Sequence, residues 1–239
     1  MIPVLRDGYV NFWNSIYRLT NGYSKSASSS DVDVWSVSNE KLKVESKSPF
    51  WMTGLPNRRR GSAGDVDVAI TFEQEVSVMQ PPRSNKYFEA VRSYVRILYL
   101  ENYEMVTRKI RDDSNYKSSV LSGFHFDLVD QENGSAGYDH PIYHANFDTK
   151  CIDLNSLGRE GYKLPSELSR IDYPRIPTAP IDLAGATFLI LRDHLPDLVE
   201  RGWPNGIQRN VSKLPRYPEG VLRNLGYRDW YNTDGRSRT

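Results

Sequence analysis

The sequence has little cysteine, little histidine and almost no net charge. Its one cysteine, Cys151, excludes an intramolecular disulfide framework and fits a cytoplasmic setting. A net charge of +1, from 31 basic and 30 acidic residues, excludes a global basic field that would draw nucleic acid to the whole surface. Long apolar runs are also missing. The densest, Ile181 to Leu195, contains Asp182, Arg192, Asp193 and His194, so no membrane span is expected and no membrane partner. Met1 to Leu5 is not followed by an apolar segment, so no secretory leader is expected either. What is present is enough for a core. The 239 residues are 38% hydrophobic and include 5 Trp, 15 Tyr and 8 Phe, which excludes a disordered chain.

The apolar spacing of Val10, Trp13, Ile16 and Tyr17 predicts a helix over Tyr9 to Thr20, stopped by Asn21 and Gly22. Ser24 to Ser30 reads as a loop. Period-two alternation then predicts strands at 32–36, 66–72 and 120–129, while Tyr87 to Leu100 reads either as a strand or as a helix. No long helix is needed between these segments, so an antiparallel sheet is expected rather than a βαβ arrangement. Asp182 caps a nearly all-apolar helix from Leu183 to Leu195, ended by Pro196 and expected to be the central helix on the sheet. The expected fold is α+β: an antiparallel sheet of roughly six to eight strands on that helix, with the N-terminal helix to one side. Residues 1–200 form the expected domain. Residues 201–239 carry eight basic against three acidic residues with interleaved Trp and Tyr, and read as an irregular basic aromatic tail on the body or a protein partner.

Three of the four histidines fall close together: His125 in Phe124-His125-Phe126-Asp127, and His140 and His144 in His140-Pro141-Ile142-Tyr143-His144. His125 and Asp127 are two apart on a predicted strand and share a face. Pro141 disfavours helix at His140, so the second segment is extended as well. The two segments flank a glycine-containing loop and read as a hairpin. One register places His125 opposite His144 and Asp127 opposite Ile142; a slip of one residue would move His144 to the other face. Imidazole titrates near neutrality, so two histidines can act as general base and acid in RNA cleavage without a cofactor. The same His125, Asp127, His140 and His144 could instead ligate Zn or Mn, although the spacing matches no zinc signature. The third alternative is that they are structural.

The aromatic-His-aromatic-Asp strand followed by His-Pro-x-x-His, over residues 120–148, resembles small bacterial proteins of toxin–antitoxin and phage-defence loci and is similar in kind to the TumE-like toxins. The resemblance implies a ribonuclease-like role for His125, Asp127, His140 and His144.

Two weaker patterns compete. Asp65 and Asp67, after a glycine-rich loop, resemble the Asp-x-Asp of nucleotidyltransferases, where the pair binds Mg²⁺; Leu55 stands where that family has serine. Arg58, Arg59 and Arg60, with Arg175, are candidate phosphate contacts to RNA or DNA. His194, beside Asp193 on the apolar helix, reads as a satisfied helix-end residue. The expectation is thus a histidine-based endoribonuclease of toxin or defence type, against a non-catalytic binding subunit of a defence complex and a transferase using Asp65 and Asp67.

Overall fold

The computed structural model describes residues 1–57, 65–78, 88–128, 143–147, 152–164, 176–177, 181–200 and 202–215. The fold is α+β, as the periodicity predicts. Helix α1 (Ile2–Thr20) is followed by strands β1 (Val32–Ser36), β2 (Lys41–Ser46), β3 (Phe50–Leu55), β4 (Val66–Val78) and β5 (Phe88–Glu101). Helix α2 (Tyr103–Asp112) leads to β6 (Ser118–Ser119), β7 (Ser122–Leu128), β8 (Tyr143–Phe147), β9 (Tyr162–Lys163) and β10 (Ile176–Pro177). Helices α3 (Leu183–His194) and α4 (Asn205–Val211) follow. The main sheet has eight strands in the order β1-β2-β4-β5-β7-β8-β10, with every pair antiparallel. The long strand β4 shares one edge between two neighbours: β2 pairs with its residues 73–77 and β3 with residues 66–70. A second, two-stranded sheet pairs β6 with β9 in parallel.

One face of the main sheet carries the larger core. Val34, Val44, Ile70, Phe72 and Val95 meet Phe12, Trp13 and Ile16 of α1 and Ala186, Ile190 and Leu191 of α3. Each such side chain, fully buried, contributes about 1.5–3 kcal/mol. An aromatic ladder ties α1 to the sheet: Trp13 stacks on Phe50 at 4.7 Å and Tyr9 on Phe72 at 4.6 Å. The Tyr9 hydroxyl donates to Gln74; burial, then the nearby Asp182 charge, holds it well above the usual phenol range.

Several expectations change. Helix α1 begins at Ile2, not Tyr9, because Pro3 is preorganised for a first turn and Leu5 extends the buried stripe of Tyr9, Phe12 and Ile16. It packs on the same core as α3 rather than to one side. Asn21 ends it in the left-handed conformation (φ 43°), as the Asn-Gly pair predicts. Residues 88–101 are a strand. A bulge sets Val76 opposite Ala90 but Glu75 opposite Arg92, so Phe88 and Ala90 join Val95 and Ile97 on the core face. The chain after residue 200 is not wholly a tail: Trp203 packs edge-on against Phe12 and Phe188, and Ile207 and Leu214 are buried in the same core. Residues 216–239 lie outside the described residues.

Helix α2 is unexpected. It connects two antiparallel neighbours, so it is no crossover. It covers part of the second sheet face, where Val106 meets Trp51, Leu98, Leu100, Leu157 and Tyr162. Gly161 permits that packing, with φ at 90°. A Cβ there would lie 2.5 Å from Ile110 Cδ1 and 2.9 Å from Val106 Cγ1. Gly161→Ala should therefore cost about 2–4 kcal/mol, combining backbone strain with overpacking. Gly158→Ala, also at positive φ but with open space around it, should cost about 1–2 kcal/mol. Urea unfolding of the two variants checks the difference.

Candidate functional site

Helix α2 and the small sheet cover only the part of the second face that carries Leu98 and Leu100. Further along the same strands that face turns polar. Across β5 and β7, Arg96 is registered with His125 and Tyr94 with Asp127. Across β7 and β8, His125 is registered with Asn146 and Asp127 with His144. Two rows result: Arg96, His125 and Asn146, then Tyr94, Asp127 and His144. Strand β10 completes the edge, with Pro177 opposite His144.

This corrects the hairpin register. His144 is opposite Asp127, not opposite His125, and Asp127 is not opposite Ile142. The offset is two residues, so the strand period keeps His144 on the face expected for it. Sequence parity fixes the face, but the offset depends on how the two strands pair, which spacing alone does not specify. Directly opposed positions have Cβ atoms roughly 4.5–5.5 Å apart, whereas diagonal ones such as 125 and 144 are roughly 7–8 Å apart.

His125 and Asp127 meet directly, with Nε2 of the ring 3.3 Å from Oδ2 of the carboxylate. Their side chains are 20% and 15% exposed, so a solute can reach them. A carboxylate in that position fixes the orientation of the ring. Beside them, Nε of Arg92 donates to the Tyr94 hydroxyl at 2.8 Å. The Arg92 guanidinium lies 4.9 Å, and that of Arg96 5.6 Å, from the centre of the Tyr94 ring. The acids on β4 already have cations: Glu73 pairs with Lys43 at 2.8 Å and Glu75 with Lys41 at 3.2 Å.

The other expected residues fall elsewhere. His140, Arg58, Arg59, Arg60 and Arg175 lie outside the described residues. Among the described residues no three His, Cys, Asp or Glu side chains group closely enough to hold a metal ion. His194 is buried, with Nδ1 3.0 Å from the Pro56 carbonyl oxygen and its ring against Tyr99, a satisfied helix-end residue.

Asp65 and Asp67 do not form a matched pair. Asp65 is exposed, whereas Asp67 is 1% exposed. Oδ1 of Asp67 accepts from the Gly54 amide at 2.9 Å and from Asn102 Nδ2 at 3.0 Å. Oδ2 accepts from the Tyr103 amide at 3.2 Å and from Arg159, its ion-pair partner. A carboxylate has about four acceptor sites, and all are taken, so Asp67 has no lone pair left for Mg²⁺. Arg159 is itself buried, 3.7 Å from the Trp51 ring centre and 4.8 Å from that of Tyr103. Burial, then the negative charge of Asp67, pushes the Tyr162 hydroxyl above the usual phenol range. Asp67 is a structural node joining β3, β4, α2 and the segment that carries Arg159.

Sequence reasoning missed Arg92, Tyr94, Arg96 and Arg159. The first three have a legible signal, basic-aromatic-basic at every second residue, once the segment is known to be a strand. Arg159 has none, since it lies 92 residues from Asp67. Comparison with protein-family models, curated proteins and solved structures finds no match. No described helix is long and apolar enough to cross a membrane.

Proposed function

We propose that the chain is a histidine-based endoribonuclease of toxin or phage-defence type, acting on the face formed by β5, β7 and β8. His125 and His144 share the base and acid roles, with His140 assisting. One imidazole takes the proton of a ribose 2′-hydroxyl. The freed oxygen attacks the adjacent phosphorus, the P–O5′ bond breaks, and the other imidazole protonates the departing 5′-oxygen. The products are a 2′,3′-cyclic phosphate and a 5′-hydroxyl, and the step balances with no metal and no water consumed.

The single observation that carries this reading is the placement of Asp127. It sits 3.3 Å from the His125 ring and is registered opposite His144, between the two histidine positions. It can hold the base in orientation and stabilise the imidazolium as it forms. The diagonal offset supports the reading as well. Entering and leaving oxygens lie on opposite sides of phosphorus, and each needs a hydrogen bond of about 2.6–3.2 Å to its histidine. Residue positions 125 and 144, diagonal and roughly 7–8 Å apart, leave room for a phosphate between them. The likeness of this segment to the TumE-like toxins points the same way.

The test is cleavage of unstructured RNA by the purified chain in EDTA, beside His144→Ala. The wild type should cleave and the variant should lose about 100-fold or more of the rate, the usual scale for a general acid or base. Cleavage abolished by EDTA would move the same residues to a metal-dependent reading. No cleavage by a folded wild-type chain would favour the non-catalytic binding subunit.

A further inference from the structure

We propose that Arg92, Tyr94 and Arg96 form a phosphate-binding rail for single-stranded RNA, running along β5 into the histidine site; as a statement about substrate it rests on the ribonuclease reading above. Three observations carry it.

First, the three side chains lie at every second position of one strand and so point to one face. That face is the one bearing His125 and Asp127, because Arg96 is registered with His125 and Tyr94 with Asp127. The bulge in β5 makes this possible. Without the extra residue at Val91, position 92 would fall on the core side together with Phe88 and Ala90.

Second, both guanidiniums are held by one ring. Arg92 bonds the Tyr94 hydroxyl through Nε and Nη2, and both arginines lie within cation–π reach of the ring. Their Cζ atoms are no further apart than the sum of the two ring distances. One short stretch of a nucleotide chain can therefore reach both. A stacked guanidinium is preorganised and weakly hydrated, and keeps edge N–H groups for a planar, bidentate anion contact.

Third, these charges are not consumed by acids. Among the described residues, neither Arg92 nor Arg96 has a carboxylate within ion-pair distance, whereas Glu73 and Glu75 are held by Lys43 and Lys41, and Asp127 by His125. Glu45 is two strands away from Tyr94, roughly 10 Å across the sheet. Glu75 and Glu73 are registered opposite Arg92 and Tyr94 but are held by lysines, so the two guanidiniums repel each other and an anion between them relieves the repulsion. Arg92 is exposed and the other two are half-buried, so the rail is open to solute. A phosphate on Arg96 would lie directly beside His125, and Arg92 would take the next phosphate along the strand. The bases are not read, which makes the contact sequence-tolerant. In-line attack by a 2′-oxygen needs an unpaired, unstacked nucleotide, hence the single strand.

The experiment is fluorescence anisotropy with a labelled, single-stranded 2′-O-methyl oligoribonucleotide, which has no free 2′-hydroxyl and cannot be cleaved by this chemistry. The variants are Arg92→Gln/Arg96→Gln and, as a control of equal charge, Arg18→Gln/Arg209→Gln, exposed arginines of α1 and α4, which pack on the other face of the sheet. Urea unfolding confirms that each folds. The arginine pair should weaken binding about tenfold or more and flatten the log–log salt slope by about 0.7 per charge removed. The control pair, remote from β5, should change binding less than threefold. Unchanged binding in the arginine variant overturns the rail. So does duplex DNA bound as tightly as the single strand with the same arginine dependence. Because the probe is not cut, the two readings separate. Arginine-dependent binding by a chain that never cleaves RNA keeps the rail and removes the nuclease. Cleavage with arginine-independent binding does the reverse.

Discussion

Replacing Arg159 with methionine is expected to cost about 3–5 kcal/mol of folding stability, the usual penalty for breaking a buried ion pair from one side. The substitution keeps much of the apolar volume between Trp51 and Tyr103 but leaves the Asp67 carboxylate charged, buried and short of its one cationic partner. Three N–H groups remain on that carboxylate, from Gly54, Asn102 and Tyr103, so the loss should be severe but short of complete unfolding. Arg159→Lys should recover little, because an ammonium cannot lie flat between two rings as a guanidinium does. A control comes from the exposed pair Lys47–Asp33, 3.2 Å apart, where Lys47→Met should change stability by less than about 1 kcal/mol. Urea unfolding measures all three. A loss below 1 kcal/mol for Arg159→Met would mean that the node is ornamental and would reopen Asp67 as a functional carboxylate.

The second large effect is on chemistry. His125→Ala should lower the rate of RNA cleavage by about 10²–10⁴-fold, the range for removal of a general base. Urea unfolding confirms that the variant folds, so that the loss is one of chemistry. Asp127→Asn should cost less, about 10–100-fold, because the carboxylate acts through the imidazole and not on the substrate. On the proposed mechanism Asp127 is a positioning residue, and its variant separates that role from a structural one: the loss should fall on kcat with KM little changed, and the urea midpoint should not move. Single-turnover cleavage gives the rates. An Asp127→Asn variant as dead as His125→Ala would place the carboxylate on the substrate instead.

The sequence was informative where side chains repeat with a period. The apolar spacing in α1 and α3, the Asn21-Gly22 stop and the alternation of β4 are all local signals, and the structure follows them. It was poorly informative where an element is held by few contacts. Helix α2 fully buries only Val106, and its stripe of Tyr103, Val106 and Ile110 spans just two turns among charged residues, too short to stand out by period. Strand β5 contains a bulge, which breaks the alternation at the residues where the rail begins. The candidate site was half legible. Parity placed His125 and Asp127 together, since that depends on one strand alone. The offset of His144 depends on how two strands pair, and Arg96 depends on a third strand, so neither could be read from spacing. The Asp-x-Asp motif misled for a related reason. It specifies two carboxylates on one strand, but a residue far along the chain, Arg159, decides what one of them does.

In the proposed chemistry two histidines on a sheet face transfer a phosphodiester without a metal. The most direct measurement is the chemical identity of the ends made when the purified chain cleaves single-stranded RNA in EDTA, read by mass spectrometry. The ends expected are 2′,3′-cyclic phosphate and 5′-hydroxyl, with none formed by His125→Ala or from RNA blocked at its 2′-oxygens. Ends bearing 5′-phosphate and 3′-hydroxyl, or cleavage of the blocked RNA, would contradict that chemistry.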